Sequence, residues 1–248
     1  MSETPVTHTH LLGGRVSLMQ PARGYRVGMD GALLAAAVAS VAAERQAKDA
    51  LELGCGVGGA LLSLKARAPE LRLSGIERET DYAALARRNA VNNGFEAGII
   101  DGDIGAGFKS FALERVDIVF SNPPYFDDPN RLRAPDAAKR PAWIADDGLG
   151  AWLGFAEAAA RDGGHIVFIH RADRLGDILG GLPKCGSFVI RPVQPFIDAD
   201  AKRVIVRAQR LGKAPLRLLP PLILHDGGER KHTEAVEAIL RGEAALPW

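Results

Sequence analysis

The sequence predicts an α/β fold in which a mainly parallel sheet is covered by helices on both faces. Short apolar runs alternate with longer helical patterns along most of the chain, as in successive strand–helix–strand units. Glycines join one early apolar run to the helix that follows it. A chain of 248 residues, of which 47% are hydrophobic and 25% charged, can bury a large core without staples.

Each predicted element is an apolar pattern bounded by glycine, proline or a capping residue. The expected strands are 16–19, 50–53, 71–76, 98–100, 116–120, 165–169, 188–193 and 203–211. The expected helices are 30–43, 60–68, 81–92, 149–161, 172–180 and 233–241, with a proline-punctuated edge segment at 215–221. A single domain is expected, made of a flexible start at 1–12, a strand and helix at 13–46, and a core at 47–248.

The glycine turn after residues 50–53 is typical of a ligand-binding turn. Gly54, Gly56 and Gly59 match the G-x-G-x-x-G spacing, which lets backbone N–H groups approach a ligand at the positive end of a helix. Glu77 lies 21 residues beyond Gly56, about where an acid that binds ribose is expected. An NAD enzyme is one candidate. Glu52 disfavours it, because a carboxylate near this turn suits an ammonium group better than a pyrophosphate.

A second motif, Asn122-Pro123-Pro124-Tyr125, follows the strand predicted at 116–120. Each proline fixes its own φ, lacks an N–H, and keeps the preceding residue out of the helical region. The carbonyls of Asn122 and Pro123 can therefore point outward as acceptors. An amide, rigid carbonyls and a flat ring suit the capture of a planar amine. Taken alone, an ordinary proline-rich turn explains the motif equally well.

Together these residues resemble the motif series of class I S-adenosylmethionine-dependent methyltransferases. The series reads Glu52-x-Gly54-x-Gly56-x-Gly58, Glu77, Asp103 and then Asn122-Pro123-Pro124-Tyr125. Within that superfamily the chain most resembles the bacterial tRNA(Val) adenine N6-methyltransferase family, from about residue 13 to residue 241. Further similar stretches are 26–34, 170–175, 202–206 and 218–225. The resemblance implies a Rossmann-like, mostly parallel seven-stranded sheet whose last strand is antiparallel and forms a hairpin with the strand before it.

The resemblance also implies S-adenosylmethionine as the cofactor, and no metal. Glu77 would accept both ribose hydroxyls, and Glu52 would steer the methionyl ammonium group. Asp103 would accept from the adenine amino group beside Ile104, with Asp101 as the alternative. Asp30 would close the pocket or cap its helix. The implied cofactor-binding residues are Asp30, Glu52, Gly54, Cys55, Gly56, Gly58, Glu77, Asp103, Ile104 and Asn122.

The implied reaction is methylation of an exocyclic adenine amine, with tRNA or another RNA as the partner. Asn122 and Pro123 would accept the amine protons, Pro124 would stiffen the turn, and Tyr125 would stack on the base. Phe126 shares that role or packs under the loop. The loop cations would grip phosphates or be solvated: Arg131, Arg133, Lys139 and Arg140. A net charge of +1 gives nucleic-acid binding little support, and the loop differs from the family pattern in carrying Trp143 and no histidine.

Four other functions stay open. A protein glutamine N-methyltransferase would use the same turn on a carboxamide, but normally has a helical domain ahead of the glycine turn. A DNA adenine methyltransferase would need a separate target-recognition region. A small-molecule methyltransferase and a non-catalytic nucleic-acid-binding module are the remaining alternatives.

The sequence also indicates the compartment in which the protein is expected. Cys55 and Cys185 lie far apart and at no metal-ligand spacing, which favours free thiols in a reducing compartment. The start lacks the pattern of a signal peptide, and the longest apolar stretch, 32–43, is too short to span a bilayer. A cytoplasmic protein that contacts no membrane is expected, and nothing in the sequence indicates its oligomeric state.

Overall fold

The computed structural model describes residues 5–23, 26–124, 148–228 and 230–248. The described strands are β1 (Val6–Leu11), β2 (Val16–Pro21), β3 (Asp49–Leu53), β4 (Arg72–Glu77), β5 (Gly98–Asp101), β6 (Val116–Ser121), β7 (Ala160–Arg171), β8 (Cys185–Gln194), β9 (Arg203–Arg210), β10 (Arg217–Leu218) and β11 (Leu222–Ile223). The described helices are α1 (Met29–Arg45), α2 (Gly59–Arg67), α3 (Thr80–Asn92), α4 (Gly148–Ala159), α5 (Leu175–Gly180) and α6 (Glu234–Arg241). Short 3-10 helices lie at Leu12–Gly14, Ile104–Ala106, Phe108–Phe111 and Ala172–Arg174.

The central sheet has the strand order β10-β8-β9-β7-β6-β3-β4-β5, with β11 beside β8. Strands β3 to β7 pair in parallel, whereas β9 lies between β7 and β8 and is antiparallel to both. This arrangement confirms the mostly parallel seven-stranded sheet with an antiparallel last strand. The two-residue strands β10 and β11 add to its edge by pairing in parallel with β8.

The start of the chain differs from the prediction of a flexible segment at 1–12. Residues 6–11 form β1, which pairs along its whole length with β2 in an antiparallel hairpin. The physical reason is visible in the burial of β1, where every second residue is half-buried and the others are exposed. The prediction is therefore wrong for these six residues.

The prediction that Asp30 caps helix α1 is also wrong. The helix begins at Met29, and Gly28 holds the capping position without a side-chain hydrogen bond. Asp30 lies in the first turn, where a carboxylate is favoured by the helix dipole. Its Oδ2 accepts a hydrogen bond from Arg203 Nε of β9 at 3.0 Å. Asp30 therefore ties the start of α1 to the far half of the sheet.

Two apolar layers hold helices against opposite faces of the sheet. Alternate residues of β7 divide between them, with Val167 in the layer that contains α1, α2 and α6. Phe168 belongs to the layer that contains α4 and α5. Each such fully buried side chain contributes about 1.5–3 kcal/mol to folding. In the described part of the chain, no helix is both long and apolar enough to cross a membrane.

A charged cluster in which Arg207 and His165 are buried and Glu44 is exposed lies at the edge of the sheet where β7 begins. The Arg207 guanidinium is 4% exposed and donates to both Glu44 carboxylate oxygens, at 2.7 and 3.2 Å. Arg207 Nε also donates to His165 Nδ1 at 3.4 Å. Burial, followed by the charge of Arg207, lowers the pKa of His165 to about 4. His165 is therefore neutral at neutral pH and acts as an acceptor.

This cluster predicts a loss of stability in acid. An unfolded histidine binds a proton near pH 6.5, whereas folded His165 binds one only near pH 4. The unfolded state holds more protons in between, so stability falls as the pH drops through that window. For one histidine the loss between pH 7 and pH 5 is about 2 kcal/mol. Urea unfolding at both pH values should show that His165→Gln loses about 2 kcal/mol less than the wild type.

The glutamine keeps an acceptor for Arg207, and buried His170, whose pKa burial also lowers to about 4, remains in both proteins as a common background. An equal loss of stability in wild type and variant would show that His165 has the same pKa in the folded and unfolded states.

Candidate active site

Three predicted site residues lie side by side where neighbouring parallel strands end. Leu53 of β3 pairs with Ser121 of β6 and with Ile76 of β4, so the residues that follow these three are level with one another. They are Gly54, Asn122 and Glu77. Neighbouring strands are about 4.8 Å apart. The structure therefore brings the glycine turn, the Asn-Pro-Pro turn and the acid to one short stretch of the sheet edge.

The glycine turn has a backbone that requires glycine. Gly54, Gly56 and Gly58 have φ values of 64°, 55° and 91°, in the left-handed region. A Cβ on Gly54 would overlap the indole ring of Trp152, with Cζ3 at 2.9 Å. No described atom lies within 4 Å of the position a Cβ would take on Gly56. The turn is thus packed against protein at Gly54 and open to a ligand at Gly56.

Glu77 links the glycine turn to the segment that enters α3. Its Oε2 accepts from Gly56 N–H at 2.7 Å, and its Oε1 accepts from Glu79 N–H at 2.9 Å. Burial raises the pKa of Glu77, and the backbone N–H groups of Glu79, Gly56 and Arg78 partly offset that rise. Each oxygen has a second lone pair. The carboxylate therefore holds the turn and keeps acceptor capacity for a ligand hydroxyl.

Replacing Glu77 by glutamine should weaken cofactor binding about 10–100-fold, because the amide presents N–H groups toward one backbone donor and toward one ligand hydroxyl. Calorimetry with S-adenosylmethionine measures the change. Glu70→Gln is the matched control, since Glu70 is exposed and lies just ahead of β4, at the opposite end of that strand from Glu77. Equal weakening in both variants would assign the effect to general loss of negative charge.

Glu52 is a buried carboxyl group beneath the first turn of α2. It is 3% exposed, and its Oε2 has no hydrogen-bond partner in the described part of the chain. Burial, assisted by the nearby charge of Glu77, raises the pKa of Glu52 well above its usual range, while the Leu61 N–H lowers it. Leaving a buried acceptor unsatisfied is costly. A bound ammonium group would satisfy it.

Cys55 packs under the turn. A Cβ on Gly75 of β4 would lie 2.8 Å from the Cys55 sulfur, so the thiol occupies the space that this glycine leaves. Burial raises the pKa of the Cys55 thiol well above its usual range, which makes a thiolate unfavourable. The Cys55 N–H donates to Ile76 O at 3.0 Å, so the same residue joins the turn to β4.

The remaining predicted residues lie around the edge of this site. Asp103 caps the 3-10 helix Ile104–Ala106, accepting from Gly105 N–H at 2.8 Å, and its Oδ2 lies 3.7 Å from Arg78. The Ile104 side chain is buried in the same apolar layer as Trp152. Tyr125, Phe126, Arg131, Arg133, Lys139, Arg140 and Trp143 lie outside the described residues.

Two residues that support the site were missed in the sequence. Trp152 of α4 packs against Gly54 from 98 residues away, and no local pattern relates the two. Asn89 of α3 is fully buried, donates to Val57 O at 2.9 Å, and exchanges hydrogen bonds with the Met19 backbone. A polar residue on the apolar face of a predicted helix was the available signal. The Asn89 side chain thus holds the glycine turn against the β1–β2 hairpin.

Among residues 5–23, 26–124, 148–228 and 230–248, no group of three or more His, Cys, Asp or Glu side chains could hold a metal ion.

Comparison with known proteins connects this geometry to named relatives. Residues 30–135 match the family model of the methyltransferase small domain. The tRNA1(Val) (adenine(37)-N6)-methyltransferase of Yersinia enterocolitica is 31% identical over 182 residues, which are 71% of this chain and 69% of that protein. The protein of the same name from Porphyromonas gingivalis is 37% identical over 115 residues, 45% of this chain and 44% of that one.

Other similar proteins are named for methyl transfer to different acceptors. The release factor glutamine methyltransferase of Deinococcus radiodurans is 30% identical over 170 residues, 65% of this chain and 58% of that protein. A crystal structure of a predicted O-methyltransferase from Agrobacterium tumefaciens superposes with a TM-score of 0.71 at 25% identity, covering 88% of this chain and 99% of that one. The chain spans about half the length of several curated relatives it matches, the Porphyromonas protein among them.

Proposed function

Since the chain belongs to the class I S-adenosylmethionine-dependent methyltransferases, we propose that it methylates the exocyclic N6 amine of an adenine in tRNA. One observation carries the proposal. The Asn122-Pro123-Pro124 turn follows β6 at the point where the glycine turn follows β3, because Ser121 and Leu53 are paired. The Ser121 hydroxyl also donates to Leu53 O at 2.8 Å. An amine held at the first turn would thus face a ligand held at the second.

The residues in and around the glycine turn fit the cofactor. S-Adenosylmethionine carries two ribose hydroxyls and an ammonium group, and supplies a methyl group on a positively charged sulfur. Glu77 offers its remaining acceptor capacity to the hydroxyls, at the point where its carboxylate already holds the glycine turn. Glu52 offers its orphaned Oε2 to the ammonium group. The open side of Gly56 admits the ligand to the turn's backbone.

The Asn-Pro-Pro turn would activate the amine. The lone pair of an exocyclic adenine amine is delocalised into the ring, so this nitrogen is a poor nucleophile. We assign to the Asn122 side-chain oxygen and the Pro123 carbonyl the role of accepting hydrogen bonds from the two N–H groups of this amine. These hydrogen bonds pull the nitrogen toward tetrahedral geometry. Alignment of two reactants can lower a barrier by about 7–11 kcal/mol. No strong base is needed, because the methylated amine is acidic and loses its extra proton to water.

The choice of tRNA rests on the relatives. Two of them are named for adenine 37 of tRNA1(Val), and the Yersinia protein aligns over two thirds of its length. Tyr125 is assigned to stacking on the target base, and Phe126 with the cations Arg131, Arg133, Lys139 and Arg140 to the adjoining RNA. A cytoplasmic location is proposed with this substrate.

A second candidate is methylation of a glutamine side chain in a protein, which the Deinococcus relative favours. The nitrogen of a carboxamide is also planar, with its lone pair delocalised into the carbonyl group. The same two hydrogen-bond acceptors would therefore serve it. What distinguishes the two functions is the macromolecule that delivers the nitrogen.

The test is a transfer assay with methyl-labelled S-adenosylmethionine. Purified protein is incubated separately with unmodified tRNA, release factor and genomic DNA, and labelled RNA is digested to nucleosides. The proposal expects the label in N6-methyladenosine from tRNA. Label in release factor alone would establish the glutamine reaction instead, and label in another nucleoside would refute the adenine assignment.

A further inference from the structure

The sheet edge that carries Asn122 continues past β7 to a second exposed surface. Arg171 of β7 pairs with Arg203 of β9, which in turn pairs with Val193 near the end of β8. The loop at residues 195–202 therefore leaves β8 at the same edge at which β6 ends. Three strand intervals of about 4.8 Å separate β6 from β8, or roughly 14 Å. This loop is a short distance along the edge from the Asn-Pro-Pro turn.

Three rings lie against one another at this position, with Phe196 tilted by 44° to His225 and His225 stacked on His232. The Phe196 ring centroid lies 5.3 Å from that of His225, which lies 5.2 Å from His232 with an interplanar angle of 24°. Backbone hydrogen bonds fix the stack, since His225 N–H donates to Pro195 O at 2.9 Å. Phe196 is nevertheless 48% exposed, and the adjacent Ile197 is 75% exposed. A preformed apolar face is thus turned toward solvent.

The charges around this face favour RNA bases over a continuous phosphate track. Lys202 and Lys231 are exposed, and neither ammonium group is paired with a carboxylate in the described part of the chain. The loop also carries exposed Asp198 and Asp200, which would repel a backbone lying along it. Burial, and then the nearby His225, lowers the pKa of His232, so this ring is neutral at neutral pH.

We propose that Phe196, Ile197, His225 and His232 form a stacking platform that binds unpaired bases of the RNA substrate, with Lys202 and Lys231 meeting its phosphates. Every base has a flat face, so aromatic rings bind single-stranded nucleotides with little dependence on sequence. The platform would hold the strand beside the target base while that base occupies the Asn122 turn. This inference rests on the proposed RNA substrate.

The test compares matched variants in steady-state methylation of unmodified tRNA. Ile197→Glu adds a charge at an exposed position without removing packing, and should raise KM for tRNA about tenfold with kcat unchanged. Leu211→Glu is the control, since Leu211 is 52% exposed and follows β9 at the opposite edge of the sheet. Phe196→Ala should behave like Ile197→Glu, and Phe196→Tyr should restore the wild-type KM. Affinity for S-adenosylmethionine should stay constant throughout.

The outcomes separate this inference from the proposed function. Wild-type methylation of tRNA with an unchanged KM in both Ile197→Glu and Phe196→Ala would overturn the platform and leave the function intact. Absence of any tRNA methylation by the wild type would overturn the function itself. Variants that raise KM for release factor protein, with tRNA unlabelled, would assign the surface to a protein partner and refute the RNA platform.

Discussion

Replacing Asn122 by alanine should reduce turnover about 10²–10³-fold, the usual effect of removing one positioned hydrogen-bonding group from a reacting centre. The remaining acceptor, the Pro123 carbonyl, can hold only one of the two amine protons, so the nitrogen would stay planar. Cofactor affinity should fall far less than turnover, because Asn122 is one of many implied cofactor-binding residues and Glu52, Gly56 and Glu77 lie on other strands or turns. Single-turnover rates with labelled cofactor measure the loss, and calorimetry measures the affinity.

Two further variants test this reading of residue 122. Asn122→Asp keeps an acceptor oxygen and should retain more activity than Asn122→Ala. Ser121→Ala removes the buried hydrogen bond to Leu53 O, which should cost about 1 kcal/mol of stability and leave most of the turnover. Full activity in Asn122→Ala would remove this side chain from the mechanism.

Gly54→Ala should destabilise the protein by about 2–5 kcal/mol. An L residue at φ 64° costs about 1–2 kcal/mol, and the added methyl group would overlap the Trp152 ring in a packed core, which costs about 1–3 kcal/mol more. The turn would have to shift, so cofactor affinity should fall as well. Urea unfolding without ligand measures the first effect, and calorimetry the second.

Gly94→Ala separates the two contributions. Gly94 has φ 66°, and no described atom lies within 4 Å of where its Cβ would be, so only the backbone strain of about 1–2 kcal/mol applies. In a Trp152→Leu background, Gly54→Ala should cost less free energy of unfolding than it does in the wild type. The smaller leucine leaves room for the added methyl group. Equal destabilisation by Gly54→Ala and Gly94→Ala would mean that Trp152 yields without cost.

Local patterns in the sequence were sufficient to predict the strands that carry the site. Residues 50–53, 71–76 and 116–120 are apolar runs of strand length bounded by turn signals, and each matches an observed strand within about one residue. Because the carboxyl ends of parallel strands share one edge, the fold class alone predicts that Gly54, Glu77 and Asn122 meet there. The register in the structure agrees with this expectation.

Contacts between distant segments could not be read from such patterns. The Asp30–Arg203 ion pair joins residues 173 positions apart, and each side chain has an ordinary local explanation in its own element. Capping was the local explanation for Asp30, and the structure shows that Gly28 holds that position. The strand at residues 6–11 was a different kind of miss, because its alternation was present in the sequence but most of its residues are polar.

The segment beyond residue 215 extends the sheet edge and also packs against α1 on one face of the sheet. Val236 and Ile239 of α6 are buried in the layer shared with α1 and α2. Trp248 donates from its indole N–H to Ala37 O at 2.9 Å. Proline-rich composition alone could not distinguish this packed arrangement from an exposed arm.

The position of β9 has a consequence for biosynthesis. Until residues 203–210 leave the ribosome, β7 has one unpaired side, and that side belongs to the strongly apolar stretch Ile166–Ile169. An uncovered strand of this kind invites pairing with other chains. We therefore expect the nascent polypeptide to depend on chaperone protection after β7 has emerged and before β9 has emerged. This dependence ends once β9 pairs with β7.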